Sequence, residues 1–154
     1  MKSIDIRRAK PTDAETLTAI AHAAKRHWHY PEEWITRWLP DLTITAEFID
    51  TNEVYVAIID DAIVGCCALV VSPGLAEIEH MWIRPEQMGA GVGRRLFEHA
   101  RTRAKELNIT AVELSADPYA EGFYERMGAK RIGDVPAGMQ GDAARVLPRM
   151  RIQI

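Results

Sequence analysis

The hydrophobic pattern changes period several times along the chain, and each change predicts an element. Ser3 to Ala9 alternates Ile4 and Ile6 with polar neighbours, the two-residue period of a half-buried strand, and Pro11 closes it. Thr12-Asp13-Ala14-Glu15 reads as a capping box, and the helix it opens carries Leu17, Ile20, Ala21 and Ala24 on one face as far as about Arg26. A second, shorter helix is predicted from Pro31, with Trp34 and Trp38 one turn apart and Pro40 stopping it. Thr45 to Thr51 reads as a third helical turn.

From Glu53 the period shortens to that of β-structure. Val54 to Ile59, a turn at Asp60-Asp61, Ile63 to Val71, a Pro73-Gly74 turn and Ala76 to Arg84 predict three antiparallel strands. A helical stripe follows in Val92, Leu96, Phe97, Ala100, Ala104 and Leu107, and Asn108 ends it. Thr110 to Ser115 is a short apolar strand, Pro118 to Met127 a helix, and Gly128 its left-handed cap. Ala129 to Val135 and Arg145 to Ile152 pair as the last two strands.

These elements fit one domain spanning residues 1–154, long enough to bury roughly 68–70% of its unfolded surface. Composition then removes several classes of function. Nineteen Lys and Arg against 22 Asp and Glu give a formal charge of −3, so no global basic field suits a nucleic-acid partner. Cys66 and Cys67 are adjacent, and a strand turns them to opposite faces, which suits neither a disulfide nor a metal site. The N-terminus lacks the apolar stretch of a signal peptide, and no run approaches a membrane span, so a cytoplasmic protein with no membrane partner is expected.

The chemistry concentrates in Met88-Gly89-Ala90-Gly91-Val92-Gly93, between the strand ending at Arg84 and the helix opened by Arg94 and Arg95. Bare backbone before a helix N-terminus presents successive N–H groups to one anion, which makes a phosphate cradle. No Lys-Ser/Thr pair follows the glycines, against a nucleoside-triphosphate loop, and the third glycine of a dinucleotide fingerprint is replaced by Arg94 or Leu96. A tight strand-to-helix turn with no ligand stays open on these residues alone.

Downstream lies Asp117-Pro118-Tyr119-Ala120-Glu121-Gly122-Phe123-Tyr124, with Gly128 closing the segment. Gly89, Gly91 and Gly93, together with Ala120, Phe123, Tyr124 and Gly128, resemble the two motifs of the GNAT acetyltransferase superfamily, in matching order over nearly the whole chain. The resemblance implies an α/β (α+β) fold with a mixed, mostly antiparallel central sheet of about six to seven strands flanked by helices. It implies transfer of an acetyl group from acetyl-CoA to a primary amine of a small molecule or peptide, by direct attack in a ternary complex. A non-catalytic acyl-CoA-binding module is the alternative. Two positions depart from the family: Met88 replaces Gln or Arg, with Gln87 one place early, and Asp117 replaces Asn.

Acyl transfer needs a base for the amine, donors for the carbonyl oxygen and an acid for the thiolate. Glu77 and Glu79 share one face of a regular strand and either could be the base, while His80 would point the opposite way. The resemblance gives the backbone of Met81, Trp82 and Ile83 to the thioester and the pantetheine arm, and the acid role to Tyr124. It gives cofactor contacts to Met88, Gly89, Ala90, Gly91, Val92, Gly93, Arg94, Asp117, Ala120 and Tyr124. The acceptor wall falls on Trp28, His29, Tyr30 and Trp34, an aromatic cleft edged by Glu32 and Glu33 that would suit a cationic amine. No metal is expected, and homodimerisation is common among relatives.

Overall fold

The structure is a computed structural model that describes residues 2–154. Its elements run β1 (Asp5–Arg8), a 3-10 turn (Pro11–Asp13), α1 (Ala14–Arg26), α2 (Glu32–Trp38), α3 (Ala46–Thr51), β2 (Glu53–Ile59), β3 (Ala62–Ser72) and β4 (Leu75–Ile83). A second 3-10 turn (Pro85–Gln87), α4 (Val92–Glu106), β5 (Ala111–Ser115), a third such turn (Pro118–Ala120), α5 (Glu121–Arg126), β6 (Lys130–Pro136) and β7 (Val146–Gln153) complete the chain.

Among the described residues seven strands form one sheet in the order β1-β2-β3-β4-β5-β7-β6, and only the β4–β5 pairing is parallel. The expected mixed, mostly antiparallel sheet is therefore present. Helices cover both faces. Leu17 and Ile20 of α1 and Ile49 of α3 pack with Val54, Val56, Cys66 and Ala68 on one side. On the other, Leu96, Phe97 and Ala100 of α4 and Tyr124 of α5 pack with Tyr55, Cys67, Leu69, Ala76 and Ile78. Each fully buried Leu or Ile contributes about 1.5–3 kcal/mol of transfer free energy to these layers. Cys66 and Cys67 do point to opposite faces. Both are free and buried, and burial pushes the Cys66 thiol up to about 12.

Two local expectations are corrected. The cap of the first helix lies upstream of Thr12–Glu15: Asp13 accepts from the Lys10 N–H (2.8 Å) and Lys10 O from the Asp13 N–H (2.8 Å). Pro11 opens a 3-10 turn before the α-helix can start, so the reciprocal bonds form across that turn. The helix expected from Pro118 is likewise a 3-10 turn followed by α5. Asn108 (φ 59°) and Gly128 (φ 100°) end their helices in the left-handed region as expected.

β4 positions the site. It pairs with β5 only from Leu75 to Glu77, and its pairing with β3 slips between Ala68–His80 and Leu69–Ile78, leaving Glu79 as the extra residue of a bulge. Beyond the bulge β4 leaves β5 and a gap opens between them.

Candidate active site

A cavity of about 600 Å³ occupies that gap. Its walls include Ile78 to Ile83 of β4, the glycine loop, Ser115 to Asp117 after β5, and Phe123 and Tyr124 of α5.

The bulge decides which β4 side chains reach the cavity. Ala76 and Ile78 face the α4 layer, but beyond the extra residue it is Met81 and Ile83 that do so. Strand parity has flipped, and His80 consequently does not oppose Glu77 as a regular strand would require. Glu79 is exposed and lines the cavity. Glu77 is not among the lining residues. Its carboxylate is held by both terminal nitrogens of Arg149 (2.6 Å each), and the same guanidinium reaches Glu113 (3.0 Å) while Arg151 takes the other Glu113 oxygen (2.7 Å). A bidentate ion pair occupies both Glu77 oxygens and holds them away from the cavity.

His80 lines the cavity but is buried, and burial lowers it to about 4, so it is neutral near pH 7. Its Nδ1 accepts from Trp82 Nε1–H (2.9 Å), which puts the imidazole proton on Nε2 and leaves no free basic nitrogen. Trp82 packs against the α1 layer. The Arg84 N–H donates to Val64 O (2.8 Å), so by strand alternation the Trp82 N–H also faces β3, and those of Met81 and Ile83 face the gap. Two of the three expected backbone donors are thus available there.

The glycine loop has the geometry of an anion cradle. Gly89 (φ 83°) and Gly91 (φ 87°) occupy the left-handed region, and a Cβ at either would meet nothing within 4 Å, so conformation alone selects glycine. Gly93 is a packing glycine, because a Cβ there would lie 3.1 Å from the Phe123 ring. The first backbone bond of α4 runs from Arg95 N–H to Gly91 O (3.1 Å), so the N–H groups of Val92, Gly93 and Arg94 precede the ladder and are available to an anion. Gln87, Met88 and Arg94 line the cavity, whereas Ala90 does not. The cradle therefore fits the pyrophosphate of coenzyme A through Gly89, Gly91 and the first turn of α4.

Tyr124 of α5 is buried and lines the cavity. Burial first, then Cys67 and Asp117, pushes its phenol far above the ordinary value, so it stays protonated. Ala120 lines the same cavity. Asp117 does too, but its carboxylate is engaged by Lys25 Nζ (2.6 Å), the Tyr30 hydroxyl (3.0 Å) and the Tyr119 N–H (2.9 Å), which leaves few lone pairs for a cofactor.

Trp28, His29, Tyr30 and Trp34 come together in a second cavity of about 470 Å³. It shares Trp28 and Tyr119, stacked with ring centroids 4.9 Å apart, with the first. The expected cation seat is altered in two ways. Glu32 and Glu33 do not line it, because they lie on the exposed first turn of α2, where Glu32 pairs with Arg26. The rings are also already served by the chain's own cations: Lys25 lies 4.5 Å from the Trp38 centroid and 5.1 Å from that of Tyr30, and Arg145 lies over Tyr30, Trp34 and Trp38. Lys25, Arg145 and the Arg149 clamp went unmarked in the sequence, since a basic residue on a helix, loop or strand carries no signal of its distant partner.

Comparison with known proteins agrees with this geometry. Residues 17–129 match the Acetyltransferase (GNAT) family. The chain is 32% identical over 133 residues to the peptidyl-lysine N-acetyltransferase YjaB of Escherichia coli, covering 84% of each protein. It is 30% identical over 132 residues to YjaB of Salmonella typhimurium, covering 84% of this chain and 86% of that one. In fold it is similar to PaiA N-acetyltransferase from Thermoplasma acidophilum in complex with coenzyme A (TM-score 0.80, 21% identity, 99% of both chains). It is also similar to an IAA acetyltransferase from Bacillus cereus (TM-score 0.73, 17% identity, 99% of this chain and 100% of that one).

Proposed function

The chain belongs to the GNAT family and is an acetyl-CoA-dependent acetyltransferase; on that premise we propose that its acceptor is a peptide lysine, with Glu79 as base and Tyr124 as acid. The observation that carries the catalytic reading is the bulge. It sets one unclamped carboxylate, Glu79, on the same cavity that Tyr124 lines. The name borne by both YjaB relatives supports the lysine, and the open aromatic groove beyond Trp28 and Tyr119 suits the residues flanking it.

Acetyl-CoA supplies the acyl group as a thioester. The glycine loop and the first turn of α4 would hold its pyrophosphate, and the N–H groups of Met81 and Ile83 would be donors for its arm. Glu79 accepts the acceptor's proton, directly or through water, because an alkyl ammonium titrating near ~10.4 is not nucleophilic at neutral pH. Tyr124 remains a phenol and donates a hydrogen bond to the sulfur as negative charge collects there. As the C–N bond forms and the C–S bond breaks, its raised pKa keeps complete transfer of its proton unfavourable, so Tyr124 serves as acid chiefly by this hydrogen bond, and the thiolate, near ~8.5, takes its proton from solvent as it leaves.

The test is release of free thiol from acetyl-CoA with a lysine-containing peptide, its Lys→Arg counterpart, and spermidine or an aminoglycoside as small amines. Turnover confined to the lysine peptide is expected. Turnover only with small amines would overturn the acceptor assignment and leave the family activity intact.

A further inference from the structure

The family's usual Asn is Asp117 here, and the structure couples that departure to a residue 92 positions away. Lys25, near the end of α1, brings its ammonium to 2.6 Å from Asp117 Oδ2, with side chains only 11% and 13% exposed. The Tyr30 hydroxyl donates to the same carboxylate, and the Trp38 and Tyr30 rings flank the ammonium. Burial and the adjacent Asp117 charge push the Tyr30 phenol up, so it remains a donor. Three segments meet at one side chain: α1, the α1–α2 link and the turn that leads into α5.

An Asn at 117 could not serve this arrangement. A carboxamide has one acceptor oxygen and no charge, and it would leave a secluded ammonium uncompensated. Conversely, Asp117 without Lys25 would be a secluded anion with only neutral donors. The two residues are therefore one choice made at two places. Their consequence lies at the other end of the turn. Asp117 Oδ1 caps it by accepting from the Tyr119 N–H, and α5 begins within four residues, carrying Phe123 against Gly93 and Tyr124 into the cavity.

We propose that the Lys25–Asp117 ion pair, closed by Tyr30, is a positioning device that registers α5 against α1 and so holds the Tyr124 phenol at the β4–β5 gap. Neither charge needs to touch the reacting atoms. The proposal rests on the reading of Tyr124 as acid, and its test separates the two.

Steady-state rates are measured on the full chain for Lys25→Met, Asp117→Asn and the double variant, each with Tyr124 intact and as Tyr124→Phe. Lys25→Met is expected to lower kcat by about tenfold with KM for acetyl-CoA within about threefold, since the lost interaction acts through the acid. Adding Asp117→Asn removes the stranded anion, restores the family's residue, and should bring kcat back to within about threefold of the parent. With Tyr124→Phe, Lys25→Met should cost less than about twofold more. The proposal is overturned by an unchanged kcat in Lys25→Met, by a double variant that does not recover, or by a full loss that persists in Tyr124→Phe. A Tyr124→Phe variant with parental turnover refutes the acid reading itself and takes this proposal with it. If Lys25→Met does not fold, Lys25→Arg keeps the charge but lengthens the arm. It should lower kcat several-fold only where Tyr124 is present, and equal effects in both backgrounds overturn the proposal.

Discussion

The two halves of β4 hold the same kind of side chain in opposite circumstances. From Leu75 to Glu77 the strand is paired on both edges, and Glu77 is locked into a network with Arg149, Glu113 and Arg151. From His80 to Ile83 it is paired on one edge only, and the bulge residue Glu79 before that stretch is unpaired and lines the cavity. One residue and one bulge separate a carboxylate held in the sheet's ion-pair network from the one we propose as base. Function here follows from where pairing stops, more than from residue type.

The strongest challenge to this contrast is to block what the open half faces. Gly91→Asp puts a carboxylate at the cradle and an L-residue at φ 87°, and should weaken acetyl-CoA binding by about 10²-fold or more, measured by titration calorimetry. Normal affinity would detach the gap from the cofactor. Tyr124→Phe should lower kcat by about 10²-fold with acetyl-CoA affinity unchanged, because only the donor is removed.

On the closed half, Arg149→Met should leave turnover near the parent while costing about 1–2 kcal/mol in urea unfolding, since it strands Glu77 beside the like charge of its register partner Glu113, which keeps only Arg151, on a partly exposed face. A large loss of turnover with stability retained would place chemistry on the wrong half. The last prediction concerns pH and leaves turnover near neutral pH untouched. Burial holds folded His80 near about 4, below its unfolded value of about 6.5, so the unfolded chain binds the extra proton first. His80 neutrality thus stabilises the fold fully above pH ~6.5, and this contribution falls away as pH drops through that window, by roughly 3 kcal/mol. Melting curves of His80→Gln should show a shallower loss between these two pH values, and a slope equal to the parent's would remove His80 as its source.

Much of the frame was legible because it rests on local signals. Alternation in Val54–Ile59 and Ile63–Val71, the α4 stripe, and the cap residues Asn108 and Gly128 all state their conformation within a few positions. The glycine loop and the Phe123-Tyr124 pair were legible for the same reason. What escaped was non-local. The bulge at Glu79 is set by how β4 must leave β5 while staying on β3, and nothing in Leu75–Ile83 alone announces a parity flip. The aromatic cluster was seen, but its occupants were not, because Lys25 reaches it from the preceding helix and Arg145 from a loop more than a hundred residues downstream of Tyr30. Asp117 was visible only as an anomaly until the partner that explains it was in place.

The central claim is that the bulge, and not the strand, makes the base. It is tested most directly by measuring kcat/KM against pH for Glu79→Gln and Glu77→Gln side by side, with acetyl-CoA and a lysine peptide. The account predicts a loss of about 10²-fold or more across the pH range for Glu79→Gln, with Glu77→Gln keeping the parent's profile and losing only stability. A Glu79→Gln enzyme with the parent's profile, beside a Glu77→Gln enzyme that has lost turnover, would contradict it.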